Sequence, residues 1–156
     1  MKTLILYATK HGAARQIAQR IADMMQNAEI CDLKQDVIPS LEPYDCVIIG
    51  SSIYAGMIRK EAKAFLSLNA DKLLGKRLGL FVSGMDGSGE KQYFETNFPQ
   101  EILQAATAKG FLGGVFDPKK AGVMGRLVMR VVAKQAVYTD AVSEDAIKGF
   151  VEAMQA

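Results

Sequence analysis

The sequence of 156 residues has no tryptophan, one histidine, two cysteines and four prolines. Cys31 and Cys46 stand in no ligand or redox spacing, and His11 is the single histidine. Those counts exclude a structural zinc site and a disulfide framework, and they argue against a histidine-based nucleophilic triad. No metal site is expected. No apolar run approaches the roughly 20 residues that a membrane-spanning helix needs. The start, Met1-Lys-Thr-Leu-Ile-Leu-Tyr7, has a short apolar stretch and no small-residue cleavage site, so no signal peptide is expected. There is no internal repeat, low-complexity stretch or linker, which predicts one domain over 1–156. The charge excess is small, +2 in all, and does not point to nucleic acid. Both cysteines fall in apolar strand patterns and read as core residues, and unpaired cysteines fit a reducing cytoplasm.

What is present is an alternation. Hydrophobic residues make up 49% and charged residues 23%, the proportions of a globular domain. Short apolar runs predict strands over 3–7, 28–33, 45–49, 77–82 and 111–116. Helical patterns lie between them. Ile17, Ile21, Met24 and Met25 mark a helix over 13–26. Ala62, Phe65 and Leu66 mark one over 58–68. A mostly helical stretch covers 94–109, and a last helix over 143–154 is capped by Ser143. Apolar strands alternating with helices mean a parallel sheet covered on both faces. In such sheets ligands bind at the carboxyl ends of the strands, where strand order reverses. That rule selects the loops after the first, third and fourth strands.

The first loop, Thr9-Lys-His-Gly-Ala-Ala14, runs from strand to helix, where backbone N–H groups and the helix dipole favour an anion. Thr9 adds a hydroxyl, and Lys10 and His11 add positive charge. Gly12, Ala13 and Ala14 leave the backbone open to close approach. The sequence is neither a P-loop nor a GxGxxG fingerprint. A plain strand-to-helix turn with Thr9 as N-cap reads equally well on local features. The second loop, residues 50–57, offers Ile53, Tyr54 and Met57 as an apolar wall. Ser51, Ser52, Ala55 and Gly56 supply polar and backbone groups along its edge, the pairing a flat aromatic cofactor needs. The third, residues 83–90, has three glycines among eight residues, with Ser83, Gly84, Met85 and Asp86 as its leading contacts. Tyr93 and Phe94 just beyond read as packing residues, with Tyr93 the alternative candidate for a ring stacked on the cofactor. No general acid or base stands out. Asp86 is an exposed loop carboxylate, and the catalytic residues stay unassigned.

Residues 5–21 resemble the flavodoxin signature. Ile5, Leu6 and Tyr7 match its aliphatic and aromatic start, Thr9 its Ser/Thr, Gly12 its small residue, and Ala18 and Ile21 its helical positions. The resemblance implies FMN as cofactor, with its phosphate held by Thr9, Lys10, His11, Gly12 and Ala13. At Ala14, where flavodoxins usually carry Thr, only the backbone N–H contributes. A lost hydroxyl bond to a charged group is worth about 1.5–3 kcal/mol, with Lys10 and His11 as the candidates to compensate. The second loop would contact the flavin ring near its reactive nitrogen, and the third its pyrimidine edge. The implied fold is a flavodoxin-like three-layer α/β sandwich, with a five-stranded parallel sheet in order 2-1-3-4-5.

A further resemblance, along most of the chain, is to the menaquinone-dependent protoporphyrinogen oxidase branch of this superfamily. It rests on residues 1–6 and 50–56, on Val128-Met129 and on Val137-Tyr-Thr-Asp140. It implies an FMN-dependent oxidoreductase or electron carrier with quinone or a redox protein as partner. The other class left open is a regulatory or binding module that keeps the fold without tight flavin binding.

Between 117 and 137 lies an extra segment. Met124, Leu127, Val128 and Val131 share one helical face, and Arg126, Arg130 and Lys134 share another. This reads as a basic amphipathic helix for an anionic membrane surface or a partner's groove, or else as a surface helix packed on its own domain. With Lys119 and Lys120 the segment holds five basic residues against Asp117, a net of +4, so the rest of the chain is at −2. The expected location is cytoplasmic, peripheral at the inner face of the membrane.

Overall fold

The structure, a computed structural model, describes residues 1–116 and 139–156. The strands are β1 Thr3–Ala8, β2 Ala28–Asp32, β3 Cys46–Tyr54, β4 Met57–Ile58, β5 Arg77–Ser83, β6 Ala108–Phe111, β7 Val115–Phe116 and β8 Thr139–Asp140. The helices are α1 Ala13–Met24, α2 Lys60–Leu74, α3 Glu90–Asn97, α4 Gln100–Ala105 and α5 Glu144–Gln155.

All six residues of β1 are buried, which fits a central strand covered on both faces. β1 pairs in parallel with β2 on one side and β3 on the other, β3 with β5, and β5 with β6. The spatial order is β2-β1-β3-β5-β6. Counted over the parallel strands alone, that is 2-1-3-4-5, the order the flavodoxin resemblance implies. The two-residue β4, which the sequence does not announce, folds back antiparallel on the end of β3.

Period-two alternation sends side chains to two cores. On one face Ile5, Tyr7, Ile48 and Phe81 meet Ile17 and Ile21 of α1 and Ile147 and Phe150 of α5. On the other, Leu4, Leu6, Val47, Ile49 and Leu80 meet Phe65 and Leu66 of α2, Phe94 of α3 and Ile102 of α4. The result is helix, sheet, helix. Ser143 caps α5 as expected, its hydroxyl accepting from Ala146 N at 3.1 Å. Cys31 and Cys46 are buried and unpaired. Burial, then Asp36 and Asp32, pushes the Cys31 thiol up to about 11, so it carries no thiolate at neutral pH.

Three expectations need correction. The helix expected over 94–109 is broken. Phe98 is extended at φ −119°, α4 restarts after Pro99, and β6 begins at Ala108. A residue before proline is disfavoured in the helical region, which explains the break. The strand expected over 111–116 lies earlier, at Ala108–Phe111. Gly113 turns the chain at φ +87°, where a Cβ would come within 2.1 Å of the Ala141 carbonyl. Beyond it, β7 leaves the main sheet and pairs antiparallel with β8. The third strand does not end at Gly50 but continues to Tyr54. Gly50 is a packing position, because a Cβ there would stand 1.9 Å from the Phe81 ring. The extra segment over 117–137 lies outside the described residues, so Arg126, Arg130 and Lys134 are not placed. Among the described residues no helix is long and apolar enough to cross a membrane.

Gly50→Ala should overpack the sheet beneath Phe81 and cost about 3 kcal/mol, near the upper end for an added core methyl. Chemical denaturation followed by circular dichroism reads that loss, and a change under 1 kcal/mol would contradict the contact.

Candidate functional site

Strand order reverses between β1 and β3, and the carboxyl ends of β1, β3 and β5 lie side by side there. Ala8 is opposite Ser51, and Ser52 is opposite Ser83. The three stretches selected from the sequence therefore meet, as a consequence of the pairing register.

The β1–α1 loop closes on itself. Gly12 N donates to Thr9 Oγ1 at 2.8 Å, so the Thr9 hydroxyl still has its own proton to give. Gly12 is the helix N-cap at φ +98°, a left-handed conformation suited to glycine, and among the described residues no side chain caps the helix. Thr9 is thus a loop tie rather than the N-cap. The first N–H groups of α1 have no partner within the helix. Ala13 and Ala14 bury their methyl groups, leaving only backbone at the loop. Lys10 and His11 are exposed beside it. These donors suit an anion.

Lys10 ties this loop to the second. Its N–H donates to Ser52 Oγ at 3.2 Å, and its ammonium lies 3.4 Å over the Tyr54 ring centroid. The expected second loop is the end of β3 followed by a tight hairpin. Tyr54 pairs with Met57 across Ala55 and Gly56, which have φ +51° and +79°. Two successive positive φ values are the mark of a type I′ turn, whose twist suits a two-residue hairpin. Ala55 occupies a conformation that costs a non-glycine residue about 1–2 kcal/mol. Tyr54 and Met57 are exposed, at 43% and 37%, and Ile53 is half-buried beside them. Of the expected wall, Tyr54 and Met57 are a cross-strand pair on one face of the hairpin, whereas Ile53 alternates to the other face and packs against the core. Ser51 works differently from the expectation. It is 1% exposed, donates to Ser52 O at 2.9 Å and accepts from Arg59 N at 2.9 Å, so it fixes the entry to α2.

The third loop begins at Ser83, which is buried, with no partner for its hydroxyl among the described residues. Gly84 N donates to Gly113 O at 3.1 Å, and Gly114 packs against the Gly84 carbonyl closely enough to exclude a Cβ, which would lie 2.7 Å from it. Met85 is half-buried. Asp86 accepts from Ser88 Oγ at 2.6 Å and Ser88 N at 3.0 Å. Those bonds, the hydroxyl's first, hold its carboxyl below the usual range, so it is a fixed anion rather than a proton carrier near neutral pH. Tyr93 stacks on Phe111 at 6.1 Å and donates to Asp86 O at 2.9 Å, while Phe94 is core. Burial, then Asp86, raises the Tyr93 hydroxyl. Both residues pack, as their sequence context suggests.

Sequence reasoning missed Asn97, the last residue of α3. Its Oδ1 accepts from Ile58 N at 3.0 Å, and its Nδ2 donates to Gly56 O at 2.8 Å. An Asn near a helix end ahead of Pro99 carries no signal of that contact. No cluster of metal-ligating side chains occurs among the described residues.

A flavodoxin domain model matches residues 4–142. The chain belongs to the flavodoxin-domain family. It is 34% identical over 77 residues to the quinone-dependent protoporphyrinogen IX dehydrogenase of Escherichia coli, a stretch covering 47% of this chain and 42% of that enzyme. The match thus spans less than half of that relative. In structure the chain is similar to a flavodoxin from Pseudomonas aeruginosa, with TM-score 0.57 and 13% identity over the whole of both chains. It is also similar to a flavoprotein of Lactobacillus acidophilus solved in complex with FMN. There the TM-score is 0.52 and the identity 20%, over 72% of this chain and 90% of that one. FMN, the cofactor the sequence implies, agrees with this family. The site fits it on its own features: a helix N-terminus with no side-chain cap among the described residues, the exposed Tyr54 ring beside Met57, and a buried hydroxyl at Ser83 with no partner among the described residues.

Asparagine ahead of glycine is favoured in such a turn, whereas alanine is strained there. Ala55→Asn should therefore stabilise the fold by about 0.5–1 kcal/mol, read as a higher Tm. An unchanged or lower Tm would mean the turn's strain lies elsewhere.

Proposed function

We propose that this protein binds FMN between the three loops and works in electron transfer, as a carrier or as an FMN-dependent oxidoreductase. The observation that carries this reading is the meeting of an uncapped α1 N-terminus with the exposed Tyr54–Met57 wall at the point where strand order reverses. The backbone of residues 9–14, with Thr9 Oγ1 and Lys10, holds the phosphate. Tyr54 and Met57 cover a ring face, Ile53 backs the hairpin from its core side, and residues 83–86 line the ring's edge. Bound FMN supplies the redox chemistry, and the protein supplies orientation and electrostatics. Lys10 has two uses here. Its contact with the Tyr54 ring is worth about 0.5–1 kcal/mol at an exposed site, less than a charge-assisted bond to phosphate. The lysine therefore exchanges the ring for the anion on binding.

FMN titrated into the purified protein should lose its fluorescence on binding, and Gly12→Leu should weaken binding at least tenfold, because leucine resists the positive φ at Gly12. No quenching by the unmodified protein would favour the flavin-free module instead.

The finer reading is a protoporphyrinogen oxidase-like activity with quinone as acceptor, supported by the partial identity to the Escherichia coli enzyme. A redox partner protein is the other acceptor. The basic residues Arg126, Arg130 and Lys134 would hold the protein to an anionic, inner membrane face, at about 1 kcal/mol per charge near the surface. Anionic liposomes should then float the protein at low salt. Added salt, or charge reversal at Arg126 and Arg130, should release it. Protein that stays at the bottom of the gradient at low salt would leave a soluble partner as the reading.

A further inference from the structure

Asn97 is 6% exposed, and its amide makes three hydrogen bonds, using both of its N–H donors. Its Oδ1 accepts from Ile58 N at 3.0 Å. Its Nδ2 donates to Gly56 O and to Tyr93 O, each at 2.8 Å. One side chain thus grips the backbone of the β3–β4 hairpin at its tip, through Gly56, and just after it, through Ile58, and ties it to α3. One turn earlier on the same helix, the Tyr93 hydroxyl donates to Asp86 O at 2.9 Å, in the third loop. α3 therefore holds both loops that flank the proposed ring site.

The hairpin needs such a hold. Ala55 sits at φ +51°, and a strained residue persists only where its surroundings over-determine it. The hairpin is only two residue pairs long, Ile53 with Ile58 and Tyr54 with Met57. A ladder that short does not fix its own tip. The Asn97 bond also sets polarity. It turns the Gly56 carbonyl toward α3, and a trans peptide places the Met57 N–H on the opposite side.

We propose that Asn97 is a positioning residue for the cofactor: by fixing the Gly56–Met57 peptide, it sets the distance and dipole that the hairpin presents to a flavin ring. This rests on the FMN reading above.

Two variants separate positioning from folding. Asn97→Leu removes all three bonds while keeping the branched four-heavy-atom shape of the side chain. Asn97→Asp keeps the acceptor for Ile58 N but sets a carboxylate oxygen against the Gly56 and Tyr93 carbonyls. In Asn97→Leu the Ile58 amide should exchange with solvent at least tenfold faster. In Asn97→Asp it should stay near the unmodified rate. Both variants should bind FMN about tenfold more weakly, the scale of one lost bond to a buried group. Both should also shift the midpoint potential of the bound flavin, because the peptide dipole beside the ring turns. Binding and potential equal to those of the unmodified protein, whatever happens to Tm, would overturn the proposal and leave Asn97 a structural residue. If the unmodified protein binds no FMN, the function reading falls and the cofactor role with it. The Ile58 exchange rate would still report whether Asn97 holds the hairpin.

Discussion

The constraint on which the molecule depends is the double parallel pairing of β3. Its register against β1 sets Ala8 opposite Ser51, and its register against β5 sets Ser52 opposite Ser83. Three connections far apart in sequence therefore begin at one edge of one sheet. The pairing in turn depends on close contact of the layers. Phe81 fills the space over Gly50 that any side chain would need, and it meets Phe150 of α5 edge-on at 6.3 Å. The site is thus mounted on the most deeply buried part of the fold, which suits a function that needs fixed geometry.

The side chains named at the site divide by what they touch. Ser51, Ala13 and Ala14 face inward and act through the backbone they hold. Ser52 and Asn97 tie one loop to another or to a helix. Tyr54, Met57, Lys10 and His11 face outward. Most of the polar groups offered to a ligand are therefore main-chain or short hydroxyl groups, with little conformational entropy to lose on binding. A cofactor that carries its own chemistry asks for little more. Asp86 is locked as an anion by Ser88, and Cys31 is locked as a thiol by burial.

The positions of β1 and β5 were legible because continuous apolar runs carry local signals, β2 more weakly, and the strand order because residues 5–21 resemble the flavodoxin signature. So was the first loop, where small residues follow a strand and precede a helix. What escaped was set by distant contacts. Gly50 looks like a strand terminator, but it is small because Phe81, some thirty residues on, occupies its space. The hairpin at 54–57 looked like loop because Ala55 is not a usual turn residue there. The β6 strand hid in Ala108–Phe111, four residues whose lysine and glycine carry little strand propensity and which pair only because β5 offers a free edge.

The broken third helix joins these points. The apolar pattern across 94–109 is helical, and a continuous helix would have been locally consistent. Proline at 99 forces Phe98 out of the helical region, and Asn97 becomes the last residue of α3 rather than one in mid-helix. At that end its amide meets the Gly56 carbonyl and the Ile58 amide, instead of solvent along a helix face. The break thus does more than shorten a helix. It ends α3 against the hairpin, turns the chain toward the edge strand, and leaves one asparagine to connect the sheet's outer scaffold with the strained tip at Ala55.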